Sequence, residues 1–292
     1  MSTLAELVAT MRLQELGMSA VRAGLLLLPF LAAIVVLEGR AGADLARYKT
    51  RNFLNDVVYS LFYRGAFYHI LIFAAVANAF EAKLQFLKFD LLASAPLWLA
   101  LLVFWVVGDF LLYWVHRLQH SVPLLWAFHS VHHSQERLTT LTQYRRHPFD
   151  RLLLDVALFV VFVFALGLPT RTWMPLYVLA TSLQALHHTE LNWRFGPLYR
   201  IVVSPIFHSV HHSADPKDHN KNLGQMLSLW DHVFGTAAAH AERPERYGVD
   251  GLDMPESLPH QLVVPFRQLV RRSVAAPSSK TAESFSGGHR PS

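Results

Sequence analysis

Histidine is concentrated in three short groups of this chain, each with the spacing of a helix surface. The first group has two histidines four residues apart, and the second and third each read His-x2-His-His. The eight residues are His116, His120, His129, His132, His133, His208, His211 and His212. Because residues i, i+3 and i+4 project to the same side of a helix, each group is expected to present its imidazoles in one direction. The chain must therefore fold so that helices distant in sequence converge.

The ligand chemistry of these groups indicates a metal site. Imidazole binds iron, copper, zinc and nickel, and the chain has no cysteine to supply a thiolate. A lone histidine on a helix is commonly a packed polar residue, but three groups with ligand spacing are not explained in that way. His187 and His188 form a further pair between the second and third groups. The sequence therefore predicts a metal site built mainly from histidine.

The composition indicates a membrane protein. Of the 292 residues, 52% are hydrophobic and only 16% are charged, whereas soluble domains carry about a quarter charged residues. The net charge of +5 arises from Lys and Arg at the ends of apolar runs, where basic side chains suit anionic lipid headgroups. We therefore expect a membrane as a partner, and no nucleic acid.

The apolar runs divide the chain into four regions. Residues 1–20 alternate apolar and charged residues at roughly helical spacing, which predicts an interfacial amphipathic helix. Residues 21–115 are expected to hold transmembrane helices. Residues 116–270 form the predicted histidine-box catalytic region, including a membrane hairpin at 152–186 and a cytoplasmic cap. Residues 271–292 cannot bury apolar area and are expected to be disordered.

The expected fold is an all-α integral membrane protein with about four to five transmembrane or re-entrant helices. Its cytoplasmic helical cap is expected to hold the multi-histidine metal site. The loop after the first apolar run is basic, with Arg40, Arg47, Lys49 and Arg51. The segment of the first two histidine groups is also rich in arginine. Because cytoplasmic loops carry an excess of Lys and Arg, we expect the active site on the cytoplasmic side.

Further motifs accompany the histidines between Asp109 and Thr236. In chain order they read Asp-x3-Tyr-Trp-x-His-Arg-x2-His from 109, Leu-Trp-x2-His-x2-His-His-Ser from 125, Arg-His-Pro from 146, His-Thr-Glu from 188, Pro-x2-His-x2-His-His from 205, Asn-Leu-Gly from 222 and Trp-Asp-x2-Phe-Gly-Thr from 230. In these motifs the chain resembles the fatty acid hydroxylase and sterol desaturase superfamily of integral-membrane, histidine-box di-iron oxygenases. It departs at Gln184, where some members have a histidine, and at Leu223, where tyrosine is common.

The resemblance implies two iron ions as the cofactor, held by nine histidines and with no catalytic residue beyond these ligands. The implied ligands are His116, His120, His129, His132, His133, His188, His208, His211 and His212. Other residues expected to bind a metal or to support a ligand are His187, Asp109, Glu190 and Asp231.

Each ligand imidazole also needs an acceptor for its second ring N–H. The acidic residues available for this are Asp109, Glu136, Glu190, Asp215, Asp218 and Asp231. Asp109 is the preferred candidate because it lies two helical turns before His116 on the same helix face. An ion pair with Arg117 or a place in an aqueous cavity is the alternative for this carboxylate.

Acid–base chemistry does not attack an unactivated C–H bond, so a redox metal that activates oxygen is needed. The resemblance implies a membrane-bound di-iron oxygenase that hydroxylates a lipid with O2 and electrons from a separate donor protein. A fatty acyl chain, a sphingolipid, a sterol or an ether lipid is the expected substrate. Sterol-type desaturation and ether-lipid monooxygenation are the alternatives at the same site.

Two other classes of membrane protein fit the sequence less well. A membrane zinc hydrolase is disfavoured because the His-Glu-x2-His signature is missing and one tetrahedral zinc ion needs only four ligands. A metal transporter would need ionisable residues in the middle of its spans, whereas the histidine groups lie at the ends of apolar runs.

Overall fold

The computed structural model describes residues 13–168 and 170–275. Within these ranges the chain is helical, with one isolated β-bridge between Ser213 and Tyr247 and no strand. The all-α prediction is therefore confirmed for the described residues. Most of the interfacial helix expected at 1–20 and most of the tail expected at 271–292 lie outside them.

Ten α-helices follow one another in the described part of the chain. In chain order they are α1 Leu13–Arg40, α2 Arg51–Arg64, α3 Ala74–Lys83, α4 Leu97–Ser121, α5 Pro123–His133, α6 Pro148–Phe159, α7 Thr170–His187, α8 Pro205–His211, α9 Leu229–Phe234 and α10 Leu258–Ala275. Short 3-10 turns and two π-helical turns, His69–Phe73 and Val160–Ala165, lie between them.

Helix α4 is the described helix that is long and apolar enough to cross a membrane. It has 25 residues and a mean hydropathy of 2.0 in its most apolar stretch, and at 1.5 Å per residue it extends about 37 Å. The segments Arg51–Arg64 and His69–Lys83 meet the same criterion only together, with a bend of 51° between them. They form either a broken span or a re-entrant loop.

The bend coincides with Gly65 and Ala66, where Ala66 has φ +67, a conformation that ends a right-handed helix. In the hairpin predicted at 152–186, α6 has only 12 residues before the π-helical turn begins. The expected number of four to five spans and the regional boundaries remain predictions.

One hydrophobic core forms where α4 packs against α6 and α7. Its buried residues are Ala100, Phe104, Leu158, Phe162 and Leu168. A Cβ added at Gly108 would lie 3.0 Å from the Phe162 ring, so the glycine lets that ring pack directly on α4. Helix α5 packs between α4 and α10, and this places the second histidine group beside the first.

Prolines and capping side chains set the starts of the short helices that carry functional residues. Pro123, Pro148 and Pro205 each occupy the first turn of their helix, where the missing N–H costs nothing. The Ser204 side chain also accepts a hydrogen bond from the Phe207 backbone N–H at 3.1 Å and caps α8. These signals fix where α5, α6 and α8 begin, and hence which residues face the interior.

Candidate metal centre

The nine histidines that the resemblance implies as ligands converge in the interior and form two clusters. The five-histidine cluster contains His116, His120, His129, His133 and His211. The four-histidine cluster contains His132, His188, His208 and His212. Within each cluster the ring nitrogens that could bind an ion all lie within 4.8 Å of one another. Eight of the nine residues are buried, and His120 is half-buried.

Helices α5 and α8 each contribute to both clusters. In α5, His129 and His133 enter the five-histidine cluster while His132 enters the four-histidine cluster. In the third histidine group, the i, i+4 pair His208 and His212 enters the four-histidine cluster, and His211 enters the five-histidine cluster. The remaining members come from α4 and from the residue that follows α7.

The expectation that each His-x2-His-His group points in one direction is therefore wrong. Successive residues of a helix are rotated by about 100°, so i+3 lies about 60° to one side of residue i and i+4 about 40° to the other. Adjacent histidines of one group consequently diverge by about 100°. One group can thus supply ligands to two neighbouring ions.

In the four-histidine cluster the Nε2 atoms face one another. The His208 Nε2 atom lies 3.0 Å from that of His188 and 3.2 Å from that of His212. The His188 Nε2 atom lies 3.4 Å from that of His132. Burial, and then the neighbouring imidazoles, hold the pKa of His208 and His212 well below the ordinary value, so these rings are neutral. Neutral rings whose nitrogens converge present lone pairs to one point, as a cation requires.

The five-histidine cluster also has ring nitrogens that are free to bind a cation. The Nε2 atoms of His120, His133 and His211 are buried and have no hydrogen-bond partner among the described residues. An unpaired buried nitrogen is costly unless a ligand satisfies it. Iron, copper, zinc and nickel all accept imidazole nitrogen, so the residues of both clusters fit a metal ion.

The outer nitrogens of three ligands in this cluster are held by acceptors. His116 Nδ1 donates to the Leu223 carbonyl at 2.7 Å, and His211 Nδ1 donates to the Lys221 carbonyl at 2.8 Å. His129 Nδ1 donates to Asp150 Oδ1 at 3.0 Å. A proton fixed on Nδ1 leaves the Nε2 lone pair free for a metal.

Asp150 is a site residue that was missing from the acidic candidates. Its Oδ1 atom accepts from His129 and also from Gln119 Nε2 at 2.6 Å, and its Oδ2 atom accepts from Arg146 Nη1 at 3.0 Å. Burial opposes ionisation, but the contacts with His129 and Arg146 outweigh it, so the pKa of the Asp150 carboxyl lies below its ordinary value. The signal in the sequence is the i, i+4 spacing of Arg146 and Asp150 around Pro148.

Asp109 does not contact His116, the imidazole for which it was the preferred partner. Its carboxylate accepts from the backbone N–H groups of Met226 and Leu227 at 2.8 and 3.1 Å, and from Trp230 Nε1 at 2.9 Å. This correction has a simple cause. The helix face before His116 is covered by the segment 222–230, whose backbone donors take up the carboxylate.

Asp231 supports the same segment from the other side. It accepts from the Leu223 and Gly224 backbone N–H groups, both at 2.7 Å. A Cβ at Gly224 would lie 2.8 Å from the Asp231 carboxylate and 2.5 Å from the Leu227 carbonyl, so glycine is required there. The segment in turn places the Leu223 carbonyl against His116. Asp109 and Asp231 therefore position a ligand through the backbone.

Glu190 and His187 lie outside both clusters. The Glu190 carboxylate is 3.6 Å from Arg243 Nη1, and its backbone N–H donates to Glu38 Oε1 at 2.7 Å. The His187 ring is buried, with its centroid 5.7 Å from that of His208. The Gln184 carbonyl lies 3.4 Å from His188 Nδ1.

The adjacent pair His187 and His188 gives a matched test of the clusters. We expect His188→Ala to lower the bound metal by about one ion per chain, because an ion in the four-histidine cluster would lose one of its imidazoles. His187→Ala should leave the metal content unchanged. Metal analysis of the two purified variants beside the wild type measures both. Equal losses in the two variants would contradict the assignment of His188 alone.

Two clefts approach the centre. The first, called the α4–α6–α7 cleft, has an apolar wall that includes Phe104, Trp105 and Leu158. Gln225, which also lines it, lies 2.8 Å from His116 Nδ1 through its Nε2 atom. Its lining further includes Arg146, the ion-pair partner of Asp150.

The second cleft, called the cap cleft, has a volume of about 290 Å³. It is lined directly by His120, His133 and His211 of the five-histidine cluster. His219 and Asn220 form part of its outer wall. The cap cleft therefore reaches the centre directly, whereas residues such as Gln225 and Arg146 stand between the α4–α6–α7 cleft and the histidines.

Comparisons with known proteins indicate the class of protein. Residues 101–236 match the family model of fatty acid hydroxylases. The chain is 28% identical over 236 residues to an ornithine lipid hydroxylase of Rhizobium tropici, across 77% of this chain and 70% of that protein. It is 34% identical over 167 residues to the alkylglycerol monooxygenase of Homo sapiens, across 55% of this chain and 35% of that protein.

A probable Delta(7)-sterol 5(6)-desaturase of Neurospora crassa is 27% identical over 134 residues, across 46% of this chain and 37% of that protein. The chain therefore spans only about a third of the monooxygenase and the desaturase. No solved structure matches the chain.

Over residues 101–236 the chain matches the fatty acid hydroxylase and sterol desaturase superfamily, as its motifs predicted. It is an oxidoreductase of that superfamily, whose relatives here are named as hydroxylases, a monooxygenase and a desaturase. The matched region contains all nine clustered histidines.

Proposed function

We propose that this chain is a membrane-bound di-iron oxygenase that hydroxylates a C–H bond of a lipid. The observation that carries the proposal is the division of nine histidines into two neighbouring clusters. Each cluster offers enough imidazoles for one ion. The family match supports the reaction class.

Iron is the proposed metal in both clusters. Imidazole ligands suit iron as well as zinc or copper, but oxidation of an unactivated C–H bond requires a redox-active metal. When bound, iron would supply the activation of O2, with electrons from a separate donor protein. The chain's own contribution is to hold neutral imidazoles in place, through acceptors such as Asp150 and the Leu223 carbonyl.

The α4–α6–α7 cleft is the proposed lipid site. Its apolar wall suits an alkyl chain, and it runs beside α4, the helix that can cross a membrane. Two of its polar residues connect it to the five-histidine cluster: Gln225 contacts His116, and Arg146 contacts Asp150, which holds His129.

Hydroxylation is the first choice because a relative that matches across 77% of this chain is a hydroxylase. The 34% identity to an alkylglycerol monooxygenase supports oxidation of an ether lipid as the second candidate. Sterol-type desaturation is supported by a shorter and weaker similarity. The substrate class therefore spans acyl, sphingolipid, sterol and ether lipids.

The proposed orientation places the active site on the cytoplasmic side of the membrane. The basic loop after α1, with Arg47 and Lys49, supports this orientation through the excess of positive charge in cytoplasmic loops. On that side the cap cleft would face the compartment that contains soluble electron donors.

The proposal is tested on detergent-purified protein. We expect about two iron ions per chain and incorporation of one atom from labelled O2 into a lipid product when a reductant is supplied. The alcohol and alkene products distinguish hydroxylation from desaturation, because only the alcohol carries the label. Metal analysis measures the iron content, and mass spectrometry of the lipids measures the incorporated label.

The control is the same preparation under nitrogen. A folded protein that binds no metal, or an iron-loaded protein that oxidises no lipid of a panel covering the four classes, would contradict the proposal. Zinc in the purified protein calls for iron reconstitution before the assay, since a histidine site accepts either metal.

A further inference from the structure

The imidazoles of the four-histidine cluster are not oriented by acceptors at their outer nitrogens. The Nδ1 atoms of His132, His208 and His212 are buried and have no hydrogen-bond partner among the described residues. The His188 Nδ1 atom lies 3.4 Å from the Gln184 carbonyl, which is long for a hydrogen bond. The positions of these rings therefore depend mainly on the backbone that carries each histidine.

Two members of this cluster, His188 and His212, have backbone that a helix does not fix on both sides. Each lies one residue beyond the end of a helix, because α7 and α8 end at the preceding residues. The segments that follow, 189–192 and 213–214, contain no helix. Their buried backbone groups need hydrogen-bond partners from another part of the chain, and those partners determine where the two ligands lie.

The Arg243 side chain supplies such partners to the segment after His188. Its Nη2 atom donates to the Leu191 carbonyl at 3.0 Å and to the Thr189 carbonyl at 3.4 Å. Its Nε atom donates to Asn192 Oδ1 at 3.3 Å. Thr189 is fully buried and Leu191 is only 2% exposed, so the guanidinium satisfies carbonyls that water reaches poorly.

The same arginine is connected to the residue after His212. Its Nη1 atom donates to the Tyr247 hydroxyl at 2.9 Å, and Tyr247 forms the isolated β-bridge with Ser213. One side chain thus joins the two segments that follow these ligands. A guanidinium suits this position because its five N–H donors lie in a fixed planar arrangement and reach several acceptors at once.

We propose that Arg243 is a positioning residue for the four-histidine cluster. It holds His188 through the segment 189–192, and it holds His212 through Tyr247. The inference rests on the metal binding proposed for this cluster, and it extends the site to a residue beyond the region 101–236 that the family model matches. The four hydrogen bonds of the guanidinium go to backbone carbonyls, an amide and a phenol, so Arg243 acts through the chain and not on an imidazole.

The test is chelator competition for iron in the full-length, detergent-purified protein under nitrogen. Arg243→Met keeps an unbranched side chain and removes every donor. We expect the affinity for one ion per chain to fall about tenfold, the lower end of the effect of residues that support a ligand. The affinity for the other ion should stay at the wild-type value, because the five-histidine cluster has its own acceptors.

Arg246→Met is the matched control. Arg246 is an exposed arginine three residues later, and its side chain pairs with Asp250 at 3.3 Å. The variant keeps the Arg246 backbone carbonyl, which accepts from the Ala214 N–H at 3.0 Å. Both ions should therefore bind to it with wild-type affinity. Equal affinities in Arg243→Met and Arg246→Met would overturn the proposal.

A double variant separates positioning from a general loss of stability. In His188→Ala the four-histidine cluster has already lost a ligand, so one ion remains in the five-histidine cluster. Adding Arg243→Met should leave the affinity for that remaining ion unchanged, because the two substitutions act on the same cluster. A further loss of affinity in the double variant would show that Arg243 supports the whole fold, and it would overturn the proposal.

Metal binding and lipid oxidation fail separately. The competition experiment needs neither O2 nor lipid, so the expected loss in a protein that oxidises no lipid would contradict only the proposed function. An active enzyme in which Arg243→Met binds both ions normally would contradict only the role of Arg243. A folded wild-type protein that binds no metal would overturn both.

Arg243→Lys carries the test if Arg243→Met does not fold. Lysine keeps a positive charge near the Glu190 carboxylate, which lies 3.6 Å from Arg243 Nη1, but it lacks the planar set of donors. We expect its affinity for the weaker ion to fall between those of the wild type and Arg243→Met. Wild-type affinity for both ions in Arg243→Lys would show that the hydrogen bonds of the guanidinium are not needed, and it would overturn the proposal.

Discussion

Replacing His132 with alanine is expected to remove about one metal ion per chain and to leave the second ion in place. His132 belongs to the four-histidine cluster, which would keep only three imidazoles. His211→Ala should have the complementary effect, because His211 belongs to the five-histidine cluster. The loss of affinity should be larger for His132→Ala, since its cluster has no fifth imidazole.

Both variants are expected to lose at least about a hundredfold in lipid oxidation, because even a partner that supports a ligand contributes 10- to 100-fold. Metal content per chain and turnover with the lipid from the screen measure the effect. His260→Ala, an exposed histidine on α10, is the control and should match the wild type. Loss of both ions in each single variant would show that the clusters bind metal as one unit, and full metal in either would remove that residue from the ligand set.

The nine clustered histidines could be identified from the sequence because their spacing and the surrounding motifs resemble a known family. Their division into two clusters follows from the same helical geometry. His132 and His133 are adjacent, so they must diverge by about 100° and cannot bind the same ion as easily as residues i and i+4. The pairing of His129 with His133, and of His208 with His212, could thus have been predicted.

The groups that hold the ligands were harder to predict. Two of the acceptors are backbone carbonyls, of Leu223 and Lys221, and any residue type supplies a carbonyl. The helical spacing places Asp109 on the same face of α4 as His116, but α4 alone does not show what covers that face. The segment that covers that helix comes from more than a hundred residues later in the chain, and its position depends on tertiary packing.

The helices themselves were predictable from apolar runs, but the number of spans was not. Within the region 21–115, the segments Arg51–Arg64 and His69–Lys83 are separated by the break at Gly65 and Ala66 and are bent by 51°. The run at 152–186 includes a π-helical turn at Val160–Ala165. Composition alone does not distinguish a crossing from a helix that enters and turns back.

Asp150→Ala is expected to weaken metal binding in the five-histidine cluster by about 10- to 100-fold, without removing any ligand. The carboxylate keeps the His129 proton on Nδ1, so that Nε2 faces the ion. Without it, either tautomer of His129 can form. The variant also leaves the Arg146 guanidinium buried without its carboxylate, which should cost about 3–5 kcal/mol of folding stability.

Asp155→Ala separates these two effects. Asp155 also pairs with an arginine at i, i+4 spacing on α6, Arg151, but it contacts no histidine of either cluster. We expect Asp155→Ala to lower the folding stability by less than Asp150→Ala does, because Arg151 is more exposed than Arg146. The variant should retain both metal ions. Asp150→Asn should fall between the wild type and Asp150→Ala, because its amide oxygen still accepts from His129. Chelator competition and thermal unfolding measure the two quantities, and equal metal affinities in Asp150→Ala and Asp155→Ala would show that Asp150 stabilises only the fold.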